Sequence, residues 1–216
     1  MLAKQIGILD NSNNLNYSSF VSCSGVVSSI LHFLVDFKRG HLGEPRFFCL
    51  FQTCGIIVRM NIPQIINREL FGRVSSEAQA APRRRKNFNF HVAEADASHR
   101  LLNAMEPESY IPPHCHRDVS KDESIIALAG RFGVVFFDHE GNVTGTAVLA
   151  PGGEAVGVNI PHGVFHSLVA LEPGSIFFEA KAGPYKALEP AEKASWAPAE
   201  GEPDATAYLN FLRAMF

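Results

Sequence analysis

From residue 100 onward, apolar positions come in short runs rich in Val, Ile and Phe, each closed by a cluster of Gly, Pro, Asp or Glu. Such runs predict strands at 100–106, 109–115, 124–129, 131–137, 143–149, 155–160, 164–171 and 175–181. The turns between them are signalled by Asp138-His-Glu-Gly141, Pro151-Gly-Gly153, Pro161-His-Gly163 and Glu172-Pro-Gly174. Eight short, regularly spaced strands predict an all-β double-sheet jelly-roll barrel spanning residues 83–184. Upstream, Ile62, Ile65, Ile66 and Leu70 are spaced for one face of a helix within 60–82, which the Pro82-Arg-Arg-Arg-Lys86 segment breaks. Downstream, the tail 185–216 is expected to end in a helix from Asp204 carrying Leu209, Phe211 and Leu212.

Residues 1–59 read differently. A polar cluster, Asn11 to Asn16, precedes apolar runs from Phe20 to Val35 and from Phe47 to Val58. Neither run approaches the ~20 clean apolar residues of a membrane-spanning helix. With Lys4 as the sole early positive charge, a secretory signal is poorly supported as well. Met60 opens a plausible start, so the expectation is that residues 1–59 form an atypical extension not translated in nature.

Composition narrows the function classes. A net charge of −3 with a pI near 6.3 argues against a broad nucleic-acid or membrane surface. Four cysteines in 216 residues make no disulfide framework and suit a reducing cytoplasm. No Gly-rich phosphate loop, nucleophile elbow or helix-turn-helix is visible in the sequence.

The chemistry concentrates in His114-x-His116, Glu123 and Pro161-x-Gly163-x-x-His166. Residues i and i+2 of an extended segment face the same way, roughly 6–7 Å apart, so His114 and His116 can reach one interior. Cys115 between them should face the other way and pack as a buried thiol. His166 arrives on a later strand, placed by the Pro161–Gly163 turn. Imidazole and carboxylate together suit a divalent ion such as Fe, Mn, Zn or Ni. The fourth ligand is Glu123, with Asp118, Asp122 or water as the alternatives. His91 either lines the pocket or is an ordinary hydrogen-bonded imidazole, while His99, His139 and His162 are expected to be exposed.

These spacings resemble the two motifs of the cupin superfamily, with differences. Six residues separate His116 from Glu123, longer than that pattern has, and Ala170 and Ala155 stand where it has Asn and Gly. A closer resemblance, over about residues 61–216, is to the WbuC-type cupin-fold metalloproteins. It is carried by Pro82 to His91, Arg100 to Pro107, Pro112-Pro-His-Cys-His116, Gly174 to Pro184 and Trp196-Ala-Pro-Ala-Glu200. The resemblance implies a cupin barrel with flanking helices, and a metal held by His114, His116, Glu123 and His166. It also implies a place in bacterial surface-polysaccharide (O-antigen) metabolism, with a sugar or nucleotide sugar as the small-molecule ligand. In that setting the expected activity is a metal-dependent isomerisation or epimerisation, with Tyr110, His91 and Glu179 as candidate bases. The alternatives are an Fe(II)-dependent dioxygenase and a non-catalytic binding module. Arg83, Arg84 and Arg85 are candidates to grip a diphosphate, since guanidinium forks match phosphate oxygens. A homodimer in the cytoplasm completes the expectation.

Overall fold

The structure, a computed structural model, describes residues 5–9, 15–19 and 63–216. The chain divides into two units, Met1–Gln64 and Ile65–Phe216. In the first, β1 (Gln5–Leu9) and β2 (Leu15–Ser19) pair antiparallel, Gln5 opposite Ser19 and Leu9 opposite Leu15. The apolar runs 20–35 and 47–58, Met60 and Ile62 lie outside the described residues.

The second unit opens with α1 (Arg68–Ala80), whose start is fixed by Asn67: its side-chain oxygen accepts the Leu70 N–H at 3.0 Å. Leu70, Val74 and Ala78, four residues apart, form the buried stripe. The helix is therefore shorter than expected. Ile65 and Ile66 precede the cap and stand 71% and 46% exposed, off the helical face assigned to them.

The basic segment continues directly into an additional strand, β3 (Arg85–Asn89), which pairs with β4 (Ser98–Met105) and places Phe88 opposite Leu102. Then follow β5 (Glu123–Ala129), β6 (Phe132–Phe137), β7 (Val143–Leu149), β8 (Gly157–Ile160), β9 (Phe165–Ala170) and β10 (Ser175–Ala182). Every pairing is antiparallel, in one sheet ordered β3-β4-β10-β5-β8 and another ordered β7-β6-β9. The chain crosses between the sheets after β5, β7, β8 and β9, the winding of a jelly roll. The strand expected at 109–115 is absent. Pro107, Pro112 and Pro113 have no N–H to give a ladder. The segment's one residue in a β-bridge is His114, which exchanges both backbone hydrogen bonds with His166 at 3.1 and 2.9 Å and also bridges to Lys193.

Met105, Ile125, Ala127, Phe132, Val134, Leu168 and Phe177 fill the space between the sheets. Both outer faces are also covered. α1 lies over Leu102, Ala104 and Ile176. Against Val135, Phe137 and Val169 lie Leu209 and Leu212 of α2 (Ala205–Arg213). Phe211 is 54% exposed, so it is not part of that contact. Between β10 and α2 runs a strap, residues 183–204, with one turn of 3-10 helix at Pro190–Glu192. Cys115 N–H donates to Glu192 O at 2.9 Å and Ala194 N–H to Pro113 O at 3.1 Å, stitching the strap to the segment that carries His114.

Candidate metal centre

Three elements bring the candidate ligands to the mouth of the barrel. His114 sits on its two-residue bridge and His116 just beyond it, while Glu123 begins β5 and His166 is the second residue of β9. The turn before β9 is tied to the first motif: Gly163, at φ 81°, donates its N–H to His116 O at 2.6 Å. Donor atoms of His114, His116 and Glu123 lie within 4.8 Å of one another. His166 completes the group, its ring centroid 4.7 Å from that of His114 and its Nε2 3.6 Å from Glu123 Oε2. His116 Nε2 lies 3.3 Å from the same oxygen.

The backbone fixes which nitrogens face the centre. His114 Nδ1 donates to Pro112 O and His166 Nδ1 to Val164 O, both at 3.0 Å. Each ring then offers its Nε2 lone pair inward, the arrangement that carbonyl partners impose on metal-binding imidazoles. Burial, together with the neighbouring His166, pushes the His114 imidazole down to about 3, so it stays neutral at ordinary pH. Burial raises the Glu123 carboxyl, but His116, His166 and Lys181 outweigh it and hold it well below its usual range. His116 Nε2 and Glu123 Oε2 are buried without a hydrogen-bond partner. Lone pairs facing one another across an unpartnered gap are expensive, and a divalent cation satisfies them together. The donor set fits such an ion.

The long gap before Glu123 is a self-contained surface loop. Asp118 accepts from Ser120 N–H and Oγ at 3.1 and 2.7 Å and from Lys186 Nζ at 3.2 Å. Asp122 accepts both the backbone N–H and the Nδ1 of exposed His162, each at 2.9 Å. Both aspartates are engaged elsewhere, which leaves Glu123 as the carboxylate of the cluster.

Behind Glu123 lies a charged row that the sequence reading did not assemble. Lys181 stands opposite Glu123 in the β10–β5 ladder, so both face the interior with Glu179 two residues earlier. Lys181 Nζ is 3.7 Å from Glu123 Oε1 and 2.6 Å from Glu179 Oε1, and Asn103 Nδ2 donates to Glu179 Oε2 at 2.7 Å. Glu179 Oε1, despite that short ion pair, has no aligned hydrogen bond. Burial and then the charge of Glu123 raise the Glu179 carboxyl to about 7. Burial alone would lower Lys181, yet Glu179 and Glu123 outweigh it and raise it. Glu179-x-Lys181 on an otherwise apolar strand was the available signal for this row.

The other candidates are placed elsewhere. Tyr110 is an anchor for the strap: its hydroxyl donates to Pro198 O at 2.8 Å, and burial raises its pKa. His91 is an ordinary hydrogen-bonded imidazole, its Nδ1 3.2 Å from Arg100 O and its ring stacked 4.0 Å from His99. His99 is 5% exposed, contrary to expectation, because it follows the inward alternation of β4. His139 is exposed as expected. Of the three arginines, Arg83 and Arg85 line a cavity of about 430 Å3 that reaches His114, with Glu200 beside them, and Arg84 does not. Arg83 Nη2 and Arg85 Nη1 hold Glu200 at 2.6 and 2.8 Å, whereas Arg84 turns to Gln79 O and Glu108. Cys115 packs beside Val135 and Phe165, away from the imidazoles.

Jelly-roll winding with three imidazoles and a glutamate at its mouth defines a cupin-fold barrel with flanking helices. Comparisons with known proteins add the following. The profile of a family described as a domain of unknown function (DUF6016) matches residues 66–149, a stretch that holds His114, His116 and Glu123 but ends before His166. No curated protein matches the chain. Among solved structures, KdgF from Halomonas sp. is 19% identical over 49% of this chain and 84% of its own, with a TM-score of 0.39. A single-substitution variant of the oxalate decarboxylase of Bacillus subtilis is 19% identical over 54% of this chain, with a TM-score of 0.37, and the match spans only 29% of the decarboxylase. The conserved SPY1581 protein from Streptococcus pyogenes is 12% identical over 62% of this chain and 99% of its own, with a TM-score of 0.39. None of these likenesses carries a substrate over to this chain. Among the described residues, no helix is long and apolar enough to cross a membrane.

Proposed function

We propose that the chain is a divalent-metal-dependent enzyme that moves a proton on a small hydroxylated carbonyl compound. The substrate class is a sugar or nucleotide sugar, the setting bacterial surface-polysaccharide metabolism in the cytoplasm. The single observation that carries the reading is the pair of unpartnered buried atoms, His116 Nε2 and Glu123 Oε2, 3.3 Å apart. The resemblance to WbuC-type cupins supports the setting.

His114, His116, Glu123 and His166 would hold the ion, which when bound supplies Lewis acidity toward a carbonyl or hydroxyl oxygen. The remaining work falls to the row behind it. Glu179, poised at about 7, both accepts and returns a proton near neutral pH. Asn103 orients Glu179 through Oε2, while Oε1 has the ammonium of Lys181 2.6 Å away as its counter-charge. Lys181 keeps positive charge between the two carboxylates.

The test has two readouts. Metal content by ICP-MS on protein purified without an affinity tag is expected near one ion per chain, and lost in His166→Ala. Solvent deuterium incorporation into a panel of sugars and nucleotide sugars, followed by proton NMR, is expected for the wild type. Glu179→Gln should keep the metal and lose the exchange. Wild-type protein that holds no metal and takes up none of Fe, Mn, Ni or Zn overturns the metal centre. Metal-loaded protein that consumes oxygen and exchanges no proton overturns the reaction in favour of a dioxygenase.

A further inference from the structure

On the far side of the His-x-His segment from the imidazoles lies a cavity of about 320 Å3. Cys115, which faces away from the metal ligands, contributes to it, and Phe165 and Trp196 supply aromatic wall. Arg117, Lys193 and His139 line it too, all three exposed side chains, and none of its lining residues is acidic. This segregation stands out in a chain whose acidic residues outnumber its basic ones, 22 to 19.

Two acids near in sequence are already engaged. Glu192 spends its carboxylate on the backbone N–H groups of Arg117 and Glu189, at 2.8 and 2.9 Å. Asp138 accepts from Glu140 N–H and from Asn142. The contrast with Arg83 and Arg85 is direct, since those two guanidinium groups are consumed by Glu200. The wall is rigid where it needs to be. Trp196 packs on Phe137 at 4.9 Å and sits over Gly141, where a Cβ would come within 2.5 Å of the indole.

We propose that this cavity binds the phosphate group of a small molecule through Arg117 and Lys193, with His139 beside them and Trp196 as the floor for the adjoining part of the ligand. Two permanent cations and an imidazole match the −1.5 to −2 charge of a phosphate monoester better than the single charge of a carboxylate. Lys193 also lines a second cavity of about 430 Å3 that reaches His114, and its backbone pairs with that of His114. A phosphate held here therefore lies against the segment that carries the metal ligands. The site does not depend on the metal reading.

Trp196 is the only tryptophan of the chain, so its fluorescence reports on this cavity alone. Inorganic phosphate titrated at constant ionic strength should give a saturable change in the full-length protein, matched by calorimetric binding. Arg117→Ala and Lys193→Ala should each weaken that binding by about tenfold or more, the worth of one charge-assisted contact. Arg131→Ala, a surface change elsewhere, should leave it intact. Protein stripped with a chelator should bind phosphate equally well, which separates this site from phosphate on a bound metal. Citrate at the same ionic strength should bind more weakly. No calorimetric binding, equal binding in both cavity variants, or tighter binding of citrate overturns the proposal.

Discussion

Burial acts in opposite directions on two groups of the centre, and the metal-free protein should show both. His114 is driven down to about 3 from 6.5, so from pH 6.5 downward the unfolded chain takes up a proton that the folded one refuses. Stability on its account falls as pH falls through that window. Glu179 is driven up to about 7 from 4.5, so between those values the folded protein holds the extra proton. Stability on its account falls as pH rises. Between pH 4.5 and 6.5 the two slopes oppose each other. Glu179→Gln removes one of them, and metal-stripped protein carrying it should lose stability toward acid more steeply than wild type, by about 1.4 kcal/mol per pH unit. Urea melts at half-unit steps of pH check this, and parallel profiles for the two proteins would refute it. Lys181 gives the companion case. Removing a cation from between two buried carboxylates is expected to cost about 3–5 kcal/mol, so Lys181→Met should melt far below wild type. Adding Glu179→Leu to it should recover much of the loss. A double-mutant cycle with no coupling would show that the two groups do not share one ion pair.

At the scale of elements, local chemistry overrides hydrophobic spacing at the edges of the fold. The isoleucines at 65 and 66 fit a helical stripe, yet the helix begins only where Asn67 can cap it. Asn67→Ala should therefore cost about 1 kcal/mol, while Ile65→Ala should fall within about 0.5 kcal/mol of wild type. Thermal melts of the two variants decide between cap and stripe. Strand positions from 98 to 182 were legible because the pleat writes burial as alternation, which β5 shows at Glu123, Ile125 and Ala127. The segment 109–115 misled because its apolar content is high while its prolines deny it a ladder, and β3 was hidden under a run of arginines. The cluster of three imidazoles and a carboxylate was legible for a different reason. Imidazoles at i and i+2, a carboxylate and a distant imidazole after a glycine turn are rare together by chance. Lys181 and Asn103 were not, because their role rests on cross-strand register, which no spacing along the chain records.

For the molecule as a whole, the question is whether the metal holds the barrel together or the barrel holds the metal. The space between the sheets is filled by buried apolar side chains, Phe132, Leu168 and Phe177 among them. Two further apolar clusters, under α1 and under α2, cover the outer faces. Nothing in that arrangement requires an ion to close it, unlike a small domain whose only core is its metal site. Binding still stabilises the folded form by mass action: free metal at 100 times its Kd adds about 2.7 kcal/mol. In a unit of this size that corresponds to about 5–10 °C in Tm. Chelation should thus lower the Tm by that amount and leave a cooperative melt and an unchanged far-UV circular dichroism spectrum. His166→Ala should melt at one temperature with or without the metal. A chelated protein that loses its strand signal would mean that the four ligands staple the jelly roll. The cavities beside the strap would then exist only in the loaded form.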